Sequence, residues 1–131
     1  FEEANYIPVE SLLRIDKEIH PKKMVLAHMG GWNDWDNVEK YLAGSDYYFD
    51  TSFSLGNINK RSDLKYPMRT YNMEDKDFVR LSRAHGIEKI LFGTDSPWSS
   101  QKEYVDKINS LDFTDEEKEM IFSGNAGKLL K

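Results

Sequence analysis

Apolar positions along the chain change period several times. From Val9 to Ile19, Leu12, Ile15 and Ile19 recur at helical spacing, and Pro21 stands just beyond, which predicts a helix over that stretch. Met24-Val25-Leu26-Ala27 is a short apolar run between lysines and the Gly30-Gly31 pair, the pattern of a strand buried on both faces. Trp35, Val38 and Leu42 return to helical spacing across 34–43, with Gly44 placed to end the helix. Tyr47-Tyr48-Phe49-Asp50-Thr51 is aromatic and suits a pleated strand. Phe78, Leu81 and His85 define a third helical face, with Asp75 or Asp77 as its cap and Gly86 as its close. Lys89-Ile90-Leu91-Phe92-Gly93 then reads as a third strand.

The tail predicts three short helices. Ser100 with Glu103 and Thr114 with Glu117 each have the spacing of a capping box. Tyr104, Ile108 and Leu111 face inward on the first helix, and Met120 and Ile121 on the second. Gly124 is expected to end that second helix. Asn125 is expected to cap the last one, with Leu129 and Leu130 buried. Between Ser52 and Met73 no period is visible, and the segment reads as a long loop carrying Lys60, Arg61 and Arg69. Strands alternating with helices imply an α/β fold with a parallel sheet, in one domain over 1–131.

Composition narrows the function classes. A formal net charge of -5 gives no basic footprint for nucleic acid. A chain of 131 residues without cysteine forms no disulfide and no thiolate metal site, and is compatible with the reducing cytoplasm. No apolar run approaches the ~20 residues that span a bilayer.

In parallel α/β folds, ligands gather at the carboxyl ends of the strands. His28 follows the first predicted strand, Asp50 ends the second and Asp95 follows the third. An imidazole and carboxylates are the usual ligands of catalytic zinc and also a usual acid/base set. Each also has a structural reading. His28 is readable as a core histidine, Asp50 as a strand-end cap for Thr51 or Ser52, and Asp95 as the cap of the turn before Pro97. A metal-free pairing of Asp50 with Asp95 is a further reading, but it leaves His28 without a part. His20 and His85 both fall in last helical turns, where an imidazolium suits the helix dipole.

Taken together, the motifs are more specific than their parts. Met24-Val25-Leu26-Ala27-His28-Met29-Gly30-Gly31 resembles the sixth strand of the amidohydrolase-related family that includes aminocarboxymuconate-semialdehyde decarboxylase. Tyr48-Phe49-Asp50-Thr51-Ser52 resembles its seventh strand, and Ile90-Leu91-Phe92-Gly93-Thr94-Asp95-Ser96-Pro97-Trp98 its eighth. The run Met120 to Leu130 is similar to its closing helices.

The resemblance implies the C-terminal portion of a TIM-type (β/α)8 barrel, with a divalent metal, zinc or manganese, at the strand ends. It implies Asp95 as a metal-binding and proton-handling aspartate. It implies His28 as a metal neighbour or acid/base group. The activity implied is metal-dependent hydrolysis of a small molecule, or non-oxidative decarboxylation. The family's His-x-His pair on strand one and its strand-five histidine are absent from the sequence. The chain is therefore expected to be a fragment, inactive alone. The alternative is a non-catalytic half barrel serving assembly or binding. Two bare sheet edges would also favour a homodimer.

Overall fold

The computed structural model describes residues 8–55 and 72–131. Phe1, Lys60, Arg61, Arg69 and most of the predicted loop lie outside the described residues. The elements follow the predicted alternation: α1 (Val9–Ile19), β1 (Val25–Leu26), α2 (Trp35–Leu42), β2 (Tyr48–Asp50), α3 (Asp75–His85), a 3-10 turn (Ile87–Lys89) and β3 (Ile90–Leu91). After them come α4 (Gln101–Ser110), α5 (Asp115–Glu119), a π turn (Met120–Gly124) and α6 (Asn125–Leu129).

The strands form one parallel sheet in the order β1-β2-β3. Leu26 stands opposite Phe49, and Asp50 opposite Leu91. Parallel pairing with a helix after each strand is the βαβ arrangement of a barrel segment. It sends the carboxyl ends of all three strands to one rim.

Packing explains why these helices form. α2 lies against both α1 and α3. Its Val38 and Leu42 are fully buried, and Trp35 packs against the same core. α3 buries Phe78, Leu81 and His85, the face its spacing predicts. Beneath them sit Phe49 of β2 and Ile90 of β3, both 0% exposed. α4 adds Tyr104 and Ile108. α5 opens with a complete capping box between Thr114 and Glu117, whereas α4 has only the Ser100 half. Arg83 of α3 grips Glu117 with two nitrogens, at 3.0 and 3.1 Å, and so ties α3 to the start of α5. That contact holds the Glu117 carboxyl below its usual range.

Several local expectations are corrected. Val25 is 46% exposed because β1 lies at an edge of the sheet, so this strand is not buried on both faces. Ile19 points into solvent, leaving Val9 as the buried anchor of α1. The N-cap of α3 is Glu74 rather than Asp75 or Asp77, and it makes no side-chain cap bond.

Gly124 does not end a helix. The backbone stays helical through Asn125, with one widened turn in which Asn125 N bonds Met120 O. The Ile121 carbonyl meanwhile receives Phe92 N at 3.1 Å, which fastens the tail to the end of β3. Asn125 caps nothing. It is fully buried, and its amide donates to Ile87 O at 2.7 Å and Ile90 O at 2.8 Å. Leu130 is 86% exposed.

His85 departs furthest from its sequence reading. It is buried and stacked on Phe49, with ring centroids 3.7 Å apart, and its Nε2 lies 2.9 Å from Tyr47 O. Burial pushes its pKa below 6.5, and nearby Lys89 adds to this. The Tyr47 and Leu42 carbonyls and Glu88 work the other way without prevailing. His85 is thus a neutral core residue, and the helix-dipole cation is ruled out by desolvation.

Two outcomes follow. The unfolded imidazole takes a proton below pH 6.5 and the folded one resists it, so His85 contributes stability above 6.5 that is lost as pH falls below that value. Denaturant midpoints measured against pH should fall on that limb, and His85→Gln should flatten it. A limb unchanged in His85→Gln contradicts the assignment.

At Gly30 the backbone has φ +88°, and an added Cβ would meet Phe49 Cζ and Val38 Cγ1, each at 2.9 Å. Gly30→Ala should therefore cost about 2–4 kcal/mol, read as a lower denaturation midpoint.

Candidate active site at the carboxyl ends of the strands

Beyond β1 the chain turns sharply over the rim. His28, Met29 and Gly30 are consecutive residues in the left-handed region, at φ 59°, 53° and 88°. Two of them are not glycine, so other contacts must hold the turn. Met29 N donates to Asp50 O at 2.7 Å, and Met29 itself is fully buried. The Trp35 indole donates to His28 O at 3.0 Å. Gly30 fits beneath Phe49 and Val38, where no larger residue would.

Asp50 organises what surrounds this turn. Its Oδ1 accepts from His28 N at 3.1 Å, from Ser52 N at 2.9 Å and from the Ser52 hydroxyl. One carboxylate oxygen thus joins the ends of β1 and β2. Next along the chain, Thr51 continues the pairing toward β3. Its N–H bonds Leu91 O at 3.0 Å, and its Oγ1 both donates to Gly93 O at 2.8 Å and accepts from Gly93 N at 3.0 Å. Gly93 packs beside Asp50: a Cβ there would sit in ordinary contact, 3.4 Å from the Asp50 side chain. The strand-end cap read from the sequence for Asp50 is what the geometry shows, extended to the backbone of His28.

The imidazole of His28 is held from one side only. Nδ1 lies 3.0 Å from Ser52 Oγ and 3.2 Å from Ser52 O. Phe53 meets the ring edge-on at 5.4 Å, and Trp32 stands 5.9 Å beyond Phe53. Among the described residues nothing hydrogen-bonds Nε2. His28 is half-buried at the rim rather than enclosed in the core, and its one satisfied nitrogen is the Nδ1 that meets Ser52.

Asp95 stands four residues past β3, exposed and left-handed at φ 55°. The turn after it closes through its backbone, with Trp98 N on Asp95 O at 2.9 Å. Its carboxylate accepts no hydrogen bond from the described residues, so it is not a side-chain cap.

His28, Asp50 and Asp95 therefore share one rim. His28 and Asp95 belong to strands two spacings apart, ~10 Å. Among the described residues no group of three His, Cys, Asp or Glu is placed to hold a metal ion. His20 is exposed at the C-terminus of α1 and His85 lies in the core, so neither joins the rim. A cavity of ≈ 290 Å³ lies between α2 and α3, lined by Trp35, Glu39, Met73, Asp77 and Arg80 among others. It holds none of the rim residues. Arg80 crosses it to Glu39 and Asp77, which raises the guanidinium's pKa and leaves no unpaired cation there among the described residues.

Residues 18–131 match the family described as Amidohydrolase. The chain belongs to the amidohydrolase family. Solved structures similar to this amidohydrolase chain share its fold. One is 2,6-dihydroxybenzoate decarboxylase from Rhizobium, at 20% identity and a TM-score of 0.56, covering 88% of this chain and 36% of that one. Another is a dihydroxybenzoic acid decarboxylase from Polaromonas sp. JS666, solved with bound manganese and the inhibitor 2-nitroresorcinol. It has 20% identity and a TM-score of 0.54, covering 82% of this chain and 33% of that one. A third is 5-carboxyvanillate decarboxylase from Sphingomonas paucimobilis, at 16% identity and a TM-score of 0.53, covering 82% and 33% respectively. This amidohydrolase chain spans about a third of the length of these structures. No curated protein matches it. No helix among the described residues is long and apolar enough to cross a membrane.

Sequence reasoning singled out His28 and Asp95 but passed over Ser52, which touches both His28 and Asp50. The available signal was the Asp-Thr-Ser triplet at a strand end, where a buried hydroxyl two residues after a carboxylate folds back onto it. Asp50→Ala leaves the N–H groups of His28 and Ser52 without their acceptor, and should cost about 2–3 kcal/mol in chemical denaturation. Wild-type stability in that variant would show that the rim is held elsewhere.

Proposed function

We propose that this chain supplies part of the active site of a metal-dependent enzyme of the amidohydrolase type, acting on a small molecule by hydrolysis or by decarboxylation without redox change. The reading rests on one observation. At a common rim, an imidazole anchored through Nδ1 and a carboxylate without hydrogen-bond partners among the described residues follow the two outer strands of one parallel sheet.

The donor chemistry fits a divalent metal. His28 Nε2 and Asp95 would hold it, and Nδ1 anchoring is the usual support for a ligating imidazole. The donor count falls short of a full set, since catalytic zinc takes three protein ligands and the described residues include no such cluster. A metal held there supplies Lewis-acid polarisation and activation of water. Manganese is the ion found in one structure of similar fold; zinc is the other candidate.

The remaining work falls to the chain's own groups. Asp95, exposed at the rim, receives and returns a proton at its carboxylate. His28 offers Nε2 to a substrate oxygen or to the proton being moved. Phe53 and Trp32 form an apolar wall beside it that excludes water and suits a flat substrate. The lack of a three-donor cluster among the described residues favours a second reading, in which the chain is a non-catalytic module that keeps the fold.

Metal titration separates the two. Mn²⁺ or Zn²⁺ should bind the chain weakly, without turnover, and His28→Ala and Asp95→Asn should each weaken binding by about tenfold or more. Binding unchanged in both variants, or absent from the wild type, would refute the catalytic reading in favour of the module.

A further inference from the structure

The contacts around Ser52 determine where the single proton of the neutral His28 ring resides. Asp50 Oδ1 already accepts two backbone N–H groups, so toward Ser52 it can only accept again. The Ser52 hydroxyl has one proton and gives it to that oxygen. What Ser52 Oγ presents to His28 is then a lone pair, 3.0 Å from Nδ1. The second atom beside Nδ1, the Ser52 carbonyl at 3.2 Å, is an acceptor by nature and also receives the Ser54 hydroxyl at 3.0 Å. Both neighbours of Nδ1 are acceptors, and a bare Nδ1 would set three lone pairs against one another beside a serine only 5% exposed.

We infer that Ser52 is a positioning residue. Its hydroxyl, oriented by Asp50, fixes His28 as the Nδ1–H tautomer and so directs the basic Nε2 lone pair to the rim. This deepens the proposed function and rests on His28 being the rim imidazole of that reading. The T-shaped contact with Phe53 fixes the plane of the ring but does not select between its nitrogens. The Asp50–Ser52–His28 chain does. It also couples the ring to the oxygen that closes the β1 turn, since Asp50 Oδ1 holds both Ser52 and the His28 backbone.

The other histidines supply internal references. His85 faces a carbonyl through Nε2, at 2.9 Å, so it must be the opposite tautomer, Nε2–H. His20, with its side chain 76% exposed beside Asp16, is the exposed imidazole of the three.

The test is a long-range ¹H–¹⁵N correlation spectrum of the ¹⁵N-labelled full chain, free of metal, at about pH 8. Wild type should show His28 in the Nδ1–H pattern and His85 in the Nε2–H pattern. In Ser52→Ala, which keeps the backbone acceptor and loses the hydroxyl, the Nδ1–H to Nε2–H ratio of His28 should fall by about fivefold, while His85 stays unchanged. Ser52→Thr should restore the wild-type ratio. His28 found as Nε2–H in wild type, or a ratio unmoved by Ser52→Ala with the His85 pattern intact, would overturn the inference. If Ser52→Ala loses the His85 pattern as well, the wild-type and Ser52→Thr spectra decide by the same criterion. No metal or substrate enters the measurement. A chain with the stated tautomer that binds no metal refutes the proposed function alone, and one that binds metal with the other tautomer refutes this inference alone.

Discussion

A single carboxylate oxygen at the end of β2 holds the rim together. Asp50 Oδ1 gathers the His28 N–H, the Ser52 N–H and the Ser52 hydroxyl, groups from two strands. Parallel ladders stop where the strands stop, and the polar groups just past that point need other partners. β2 supplies them from its own next residues. Asp50 reaches back to β1, and Thr51 reaches across to Gly93 after β3. The left-handed turn at His28 and Met29 is tolerable because these bonds, with Trp35 above and Gly30 below, leave the backbone no cheaper path.

The core underneath makes such an edge possible. Phe49 occupies the middle of β2 with His85 stacked upon it, and Gly30 passes against its ring. One aromatic side chain therefore touches the sheet, α3 and the turn that carries His28. On the far side the tail is anchored by buried Ile121 and by polar contacts near β3, not by the exposed Leu130. Phe92 N binds the Ile121 carbonyl, and Asn125 donates to the carbonyls of Ile87 and Ile90. Asn125 thereby adds a side-chain donor at two carbonyls around the 3-10 turn, one of which, Ile87 O, also accepts the Ile90 N–H. The Gly-Asn pair thus acts as a helical passage rather than a helix stop.

Function and stability draw on the same atoms here. The Ser52 hydroxyl that pins the His28 ring is itself held by the Asp50 oxygen that joins β1 to β2, so the imidazole, though it stands on a turn, is tied to the sheet. Asp95 is the opposite case. It stands exposed, with its turn closed by backbone, and its carboxylate serves no structural bond among the described residues. A family of barrel enzymes that varies its chemistry at the strand ends needs both kinds of position: one fixed by the fold and one left spare.

Much of this was legible in the residues. Element order followed from the change between apolar runs and helical spacing, because burial against a sheet dictates both patterns. The motifs that carry His28 and Asp95 pointed to the family now matched over residues 18–131. Side-chain burial at the ends of elements was not legible. Ile19, Val25 and Leu130 are apolar and exposed, since their fate depends on whether another element covers them. Nor was the state of His85, placed by sequence in a last helical turn. Only the neighbourhood of Phe49 and Tyr47, from another strand, made it neutral and buried. The sequence by itself determined which residue types stand at the ends of three strands, because local periodicity sets where strands stop. Tertiary structure alone decided what each does there, because hydrogen-bond partners at Asp50, Ser52 and His28 come from segments brought together only when the sheet forms.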